Sequence, residues 1–192
     1  MPEPLNIGFL VSGRGSNLAA VLAEIEAGRL PARARLVISD NPEAPALKIA
    51  AEKKIPTAVF ERKNFSDRKT FEAAMAGALK AHEVELVVLA GFMRLLSKFF
   101  TNEFPERIIN VHPALLPAFP GLEAQKQALE HGVKIAGCTV HYVNEIMDGG
   151  RIIAQAAVAV EPQDTVETLS ARILKEEHRI LPEAIAKIAR KS

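Results

Sequence analysis

The 192-residue chain predicts an α/β fold, a mostly parallel twisted sheet with helices on both faces and late strands antiparallel. Three observations predict it. Strand-like apolar runs alternate with helix-spaced segments through the first half, the pattern of a parallel sheet with crossover helices. The first run feeds at once into a glycine-rich turn, Ser12-Gly-Arg-Gly-Ser-Asn17, and then a helix. Two late strand-like runs, 137–143 and 152–160, are joined by a short connection rich in Gly and Asp, which reads as an antiparallel pair. Ligands of such sheets sit at the carboxyl ends of the strands.

The elements follow in order. Residues 5–11 read as a buried strand. Leu18, Leu22 and Ile25 then recur at helical spacing until Gly28. Residues 35–39 form a second strand, closed by Asp40-Asn-Pro42, and 44–54 a helix ending before Ile55-Pro56. Residues 57–60 make a short strand. Ser66 or Asp67 can cap the next helix by accepting from free backbone N–H groups, and Phe71, Met75 and Leu79 mark its apolar stripe. Residues 85–91 are the most hydrophobic strand, which places it centrally. Residues 108–112 form a fifth strand and 123–131 a helix ending at Gly132. After the antiparallel pair, 166–189 is helical, with Pro182 expected to kink or split it.

Composition narrows the function. Lys plus Arg is 24 against 23 Asp plus Glu, so no basic nucleic-acid footprint is visible in bulk and no nucleic-acid partner is expected. No apolar run reaches the length of a membrane span. The start, Met1-Pro-Glu-Pro-Leu5, lacks the basic and apolar regions of a signal peptide, so the expected home is the cytoplasm. A single cysteine, Cys138, excludes an intrachain disulfide and a cysteine zinc cage; no metal site is expected.

Several residues carry chemistry. The glycines of the first loop let the backbone approach a ligand, and the helix start behind them offers free N–H groups that suit a single phosphate. Leu18 stands where a dinucleotide fingerprint has its third glycine, and no Gly-Lys-Ser/Thr follows. Asn110 and His112, two apart on a strand, share a face at its carboxyl end. Together they can hold an oxyanion and manage a proton. A stiff apolar segment, Pro113 to Gly121, follows and can wall a flat heterocycle. Asp148 reads first as a hairpin-turn residue, and alternatively as a carboxylate looping back to orient His112. Glu177 interrupts the apolar stripe of the last helix, which is costly unless it is paired or near solvent. His141 reads as structural, His82, His131 and His178 as surface or helix-end residues, and Cys138 as a small core residue.

Taken together, Ser12-Gly-x-Gly-Ser-Asn-Leu18, Leu89-Ala-Gly-Phe-Met-Arg-Leu-Leu96, Asn110-x-His-Pro-x-Leu-Leu-Pro-x-x-Pro-Gly121, Gly137-Cys-Thr-Val-His141 and Asp148-Gly-Gly150 closely resemble the folate-dependent formyltransferase family, in its glycinamide ribonucleotide branch. The resemblance runs from about residue 6 to 189. It implies a Rossmann-like formyltransferase fold in one domain, 1–192, with a mononucleotide-binding half over about 1–105 and a folate-binding, catalytic half over about 106–192. It implies 10-formyltetrahydrofolate as co-substrate and the amine of glycinamide ribonucleotide as acceptor. Gly15, Ser16 and Asn17 would hold the phosphate, and Glu177 the ribose or amine end. Arg68 would lie near the folate tail. Met93, Arg94, Leu95 and Leu96 would line the pterin pocket with Asn144 and Asp148 of the 144–148 loop. Asn110, His112 and Asp148 would be the catalytic trio, and the protein a monomer or weak homodimer. Ala114, Arg151 and Glu123 stand where the family often has Ser, Pro and His. The rival readings are a formyltetrahydrofolate hydrolase and a non-catalytic nucleotide- or folate-binding module.

Overall fold

The computed structural model describes residues 3–190. Met1 and Pro2 of the opening segment, and Lys191 and Ser192, lie outside the described residues. One seven-stranded sheet runs through the chain in the order β3-β2-β1-β4-β5-β6-β7. Its strands are β1 (Leu5–Val11), β2 (Ala32–Ser39), β3 (Thr57–Val59), β4 (Leu86–Leu89), β5 (Ile108–His112), β6 (Ile135–Tyr142) and β7 (Ile152–Ala159). Strands β1 to β5 pair in parallel, whereas β6 and β7 are antiparallel. The all-apolar β4, Leu86–Leu89, holds the middle place, where both faces are covered.

The helices are α1 (Ser16–Glu26), α2 (Pro45–Glu52), α3 (Arg68–Ala81), α4 (Lys98–Glu103), α5 (Ala124–Glu130) and α6 (Val166–Ala189). Strand alternation sorts the core into two layers. Ile7, Phe9 and Val11 face a layer containing Leu18 and Leu22 of α1, Ala46 of α2 and Leu169, Ile173 and Ile180 of α6. Leu10 and Leu36 face the other layer, with Phe71, Met75 and Leu79 of α3 and Phe100 of α4. Asp67 caps α3: its side chain accepts from Thr70 N at 2.7 Å.

One expectation is corrected and one element is added. Pro182 does not split α6, which runs over 24 residues. A proline removes one helical donor, but Ile173, Ile180, Leu181, Ala184, Ile185 and Ile188 bury a continuous stripe on both sides of it. Helix α4 lies in a stretch that the periodicity reading passed over. It is only six residues long, yet Leu96, Phe100 and Phe104 recur at four-residue spacing and are all buried.

Candidate active site

Two loops at the carboxyl ends of β1 and β4 are fastened by one side chain. Ser12 donates its N–H to the Gly91 carbonyl at 3.1 Å, and its hydroxyl accepts from Met93 N at 3.0 Å. Behind Ser12 the chain turns through Gly15, whose φ of 78° is left-handed. A Cβ there would lie 2.6 Å from the Ala46 Cβ, so glycine is demanded by both conformation and packing. No side chain caps α1, which leaves its first N–H groups unsatisfied by the helix. They border a cavity of about 700 Å³ lined by the loop, by Gly91, Met93, Val111 and Pro113, and by one face of α6.

Glu177 enters this cavity from α6 although it is only 7% exposed. Its carboxylate accepts from Asn17 Nδ2 at 2.8 Å. Burial raises its pKa above the ordinary value, and the Asn17 bond offsets part of that rise. Asn17 Oδ1 is buried without a partner. The pair therefore has one amide oxygen that still needs a donor, such as a hydroxyl or an amine.

Asn110 and His112 stand on the opposite face of the sheet from Val111. The antiparallel register sets Asn110 opposite His141 and His112 opposite Thr139. His141 is 2% exposed. Its Nδ1 lies 2.9 Å from the Tyr142 carbonyl, which can only accept, so Nδ1 carries the hydrogen. Nε2 then accepts from Asn110 Nδ2 at 3.3 Å and fixes the direction of that amide.

His112 is held between two acceptors. Nε2 donates to the Phe119 carbonyl at 2.8 Å, and Nδ1 lies 3.4 Å from Asp148 Oδ2. The Phe119 carbonyl can only accept, so Nε2 carries a hydrogen, and Nδ1 faces the carboxylate. Asp148 also accepts from Gly121 N at 2.8 Å and lies 3.6 Å from His141 Nε2. Burial raises its carboxyl, but the Gly121 N–H and the nearby His112 ring outweigh this and hold its pKa below the ordinary carboxylate value; His141, whose Nε2 is spent on Asn110, donates no bond to it. Phe119 and Asp148 both take left-handed backbone, at φ 53°, to aim these groups.

The segment after β5 is anchored to the sheet. Thr139 Oγ1 donates to the Ala114 carbonyl at 2.7 Å and accepts from Leu116 N at 3.0 Å. Gln155 Nε2 adds bonds to the Leu116 carbonyl and to Thr139. The Leu116–Pro117 peptide is cis.

Behind the 92–96 loop lies a second cavity of about 350 Å³, lined by Arg62, Arg68, Phe71, Glu72 and the loop itself. Glu72 is 1% exposed. It accepts from Ser97 N at 2.9 Å, from the Ser97 hydroxyl and from Arg68 Nε at 3.0 Å. Arg68 also donates to the Leu95 carbonyl. A buried carboxylate thus ties α3 to the loop.

Residues 5–185 match the family model described as formyl transferase. The chain belongs to the formyl transferase family. It is similar to the phosphoribosylglycinamide formyltransferase of Bacillus subtilis, 44% identical over 92% of this chain and 91% of that protein. It is 42% identical to part of the human trifunctional purine biosynthetic protein adenosine-3, a match covering 95% of this chain and 18% of that protein. Among solved structures, glycinamide ribonucleotide transformylase 1 from Symbiobacterium toebii superposes with a TM-score of 0.98 at 51% identity, over 100% of this chain and 90% of that one. The Rossmann-like fold expected from the resemblance is thereby shown.

In this formyl transferase the residues expected to act together fall into three groups. Gly15, Ser16, Asn17 and Glu177 share the large cavity. Asn110, His112 and Asp148 gather at the carboxyl end of β5, whose Val111 and the following Pro113 line that cavity. Arg68, Met93, Arg94, Leu95 and Leu96 line the smaller cavity, with Met93 bordering both. Met93 and Leu95 are 69% and 63% exposed, whereas the Leu96 side chain packs into the core. Arg94 pairs with Asp40. Asn144 is exposed and turns its Oδ1 back to Ile146 N at 2.9 Å, bracing its own loop.

The sequence reading missed two residues of this transferase. His141, taken as structural, sits within the Asn110–His112–Asp148 group. Only the β5–β6 register reveals it, and the polar Thr139 and His141 alternating on one strand were the available signal. Glu72 also went unnoticed on the α3 stripe. His82 and His131 do end helices, but His178 lies within α6, half-buried, with its pKa lowered by burial. Cys138 is a core residue whose thiol is pushed up to about 12, chiefly by burial. Arg151 stacks on Tyr142 at 4.4 Å, and Glu123 takes left-handed backbone before α5. Among the described residues no helix is long and apolar enough to cross a membrane.

Proposed function

We propose that this formyl transferase moves the formyl group of 10-formyltetrahydrofolate to the amine of glycinamide ribonucleotide, giving formylglycinamide ribonucleotide and tetrahydrofolate. The names of the relatives support the substrates. The observation that carries the chemistry is the buried amide–imidazole–carboxylate group on β5 and the 143–151 connection, with Asn110 directed by His141. In this reading residues 1–105 carry the phosphate loop and 106–192 the catalytic group, while Arg68 and Met93–Leu96 of the first half reach the folate and Glu177 of the second reaches the nucleotide.

The acceptor phosphate rests on the uncapped start of α1, at Gly15, Ser16 and Asn17, and its ribose or amine end meets Glu177. The pterin lies against Met93–Leu96 and the 144–148 loop, with the folate tail toward Arg68. The free amine attacks the formyl carbon, and the carbonyl electrons move onto oxygen. Asn110 has one N–H engaged by His141 and offers the other to this oxyanion. His112, doubly protonated between Phe119 and Asp148, supplies positive charge beside it. Asp148, ionised, positions a water that carries the amine proton to the departing folate nitrogen as the tetrahedral intermediate collapses. The rigid Thr139-anchored segment holds these groups before substrate arrives, which lowers the reorganisation cost of the step.

The test follows loss of 10-formyltetrahydrofolate spectrophotometrically, with and without glycinamide ribonucleotide. Acceptor-dependent loss is expected, and Asn110→Ala should be slower by about 100- to 1000-fold, the usual effect of deleting one oxyanion donor. Loss that ignores the acceptor would assign a hydrolase instead, and unchanged turnover in Asn110→Ala would remove the amide from the mechanism.

A further inference from the structure

The large cavity carries an electrostatic imbalance that its backbone does not settle. Two carboxylates line it, Glu167 and Glu177, and one cation, Arg14. Glu167 stands at the first turn of α6, and the Thr165 hydroxyl holds its carboxyl below the usual value, so it is a fixed negative charge at the mouth. The uncapped start of α1 opposes these with roughly half an elementary charge. A dianionic phosphate placed there would face a lining that is negative but for Arg14.

Arg14 also differs from several other arginines of the chain. Arg68 is spent on Glu72 and the Leu95 carbonyl, Arg94 on Asp40, Arg172 on Asp164 and Arg179 on Glu176 and Glu183. Arg14 is exposed and makes no hydrogen bond or ion pair with a described residue. It sits between Gly13 and Gly15 in the loop that lines the cavity. A guanidinium presents a planar pair of donors that matches two phosphate oxygens, and its charge does not titrate.

We infer that Arg14 selects the phosphorylated acceptor: its guanidinium closes over the phosphate at the 15–17 loop and offsets the repulsion from Glu167 and Glu177. The inference rests on the proposed ribonucleotide acceptor and adds a side chain to a site otherwise built from backbone. It makes Arg14 a determinant of discrimination between glycinamide ribonucleotide and its dephosphorylated riboside.

The experiment compares wild type, Arg14→Gln and Arg14→Lys with both acceptors at low and at 0.5 M salt. Arg14→Gln should raise KM for the ribonucleotide about tenfold, the scale of one charge-assisted contact at an accessible site. KM for the formyl donor and kcat/KM for the riboside should move less than twofold. Arg14→Lys should recover part of the loss at low salt and less at high salt, because a point charge is screened and lacks the fork. An unchanged ribonucleotide KM in Arg14→Gln would overturn the inference. So would a parallel fall in riboside turnover, which would assign Arg14 to loop shape. Wild type is measured first: if it ignores the ribonucleotide, the proposed function fails, and the two failures are told apart.

Discussion

Replacing Glu72 by Gln tests whether a buried carboxylate positions the 92–97 loop. The side chain keeps its shape, and its amide oxygen can still accept from Ser97 N and Arg68 Nε. Its new NH₂ can donate to the Ser97 hydroxyl, so the number of contacts is preserved and only the charge is lost. A hydrogen bond to a charged group contributes about 1.5–3 kcal/mol against about 1 for a neutral one. Two Ser97 contacts therefore lose about 1 kcal/mol each. The Arg68 contact adds little, since that guanidinium is 51% exposed. A loss of about 2 kcal/mol corresponds to a Tm drop of about 4–8 °C in a chain of this size. Urea and thermal unfolding measure it. Glu72→Ala, which also orphans the buried Ser97 N–H, should cost roughly twice as much. In steady-state assays Glu72→Gln should raise KM for the formyl donor about fivefold, equivalent to ~1 kcal/mol, and leave KM for the acceptor unchanged. A stability loss under about 0.5 kcal/mol, within the range of an unremarked surface change, would refute the charge argument. Equal rises in both KM values would refute the positioning role.

Glu177→Gln should be more stable than wild type at pH 8 and equal to it below about pH 4, where the carboxyl is protonated folded or unfolded. Its folded pKa is raised, so wild-type stability is full at low pH and is lost as pH rises through the folded value; melts across pH read this, and KM for the acceptor should rise in the same variant. Thr139→Val removes a fully buried hydroxyl with three partners and should lower stability by about 2–4 kcal/mol; a Tm within 2 °C of wild type would contradict the anchoring role. Gly15→Ala adds a methyl 2.6 Å from the Ala46 Cβ at a left-handed residue. Strain and overpacking together should cost about 2–4 kcal/mol, measured by denaturant midpoint.

The mixed sheet and its central strand were readable because local pattern and tertiary environment agree. β4 is apolar at every position and is covered on both faces, and β5 matches its expected range, 108–112. The Asn110–His112 pair was legible because two residues apart on a strand always share a face. His141 was not, because its partner lies 31 positions away and only a register brings them together. Pro182 misled for a related reason: a propensity argument counts one lost hydrogen bond, while the helix is held by the stripe it buries. Glu72 resembled an ordinary helix carboxylate, and nothing local marks the Ser97 backbone as its partner.

The route of the chain from β6 to Asp148 sets a limit on how this enzyme can vary. Because β6 runs antiparallel to β5, it ends beside the start of β5, where Val143 N bonds the Ile108 carbonyl at 2.9 Å. Asp148 must therefore come back along the sheet to the level of His112, four residues or ~13 Å away. Five steps from Val143 can cover at most ~17 Å. Loss of two residues would leave ~10 Å of chain, so the Asp148 and His112 side chains would have to stretch over the missing ~3 Å and give up the geometry the full connection sets. Surface loops usually tolerate changes in length; here the ruler is the strand beneath, and shortening the connection would act on the chemistry before it acted on the fold.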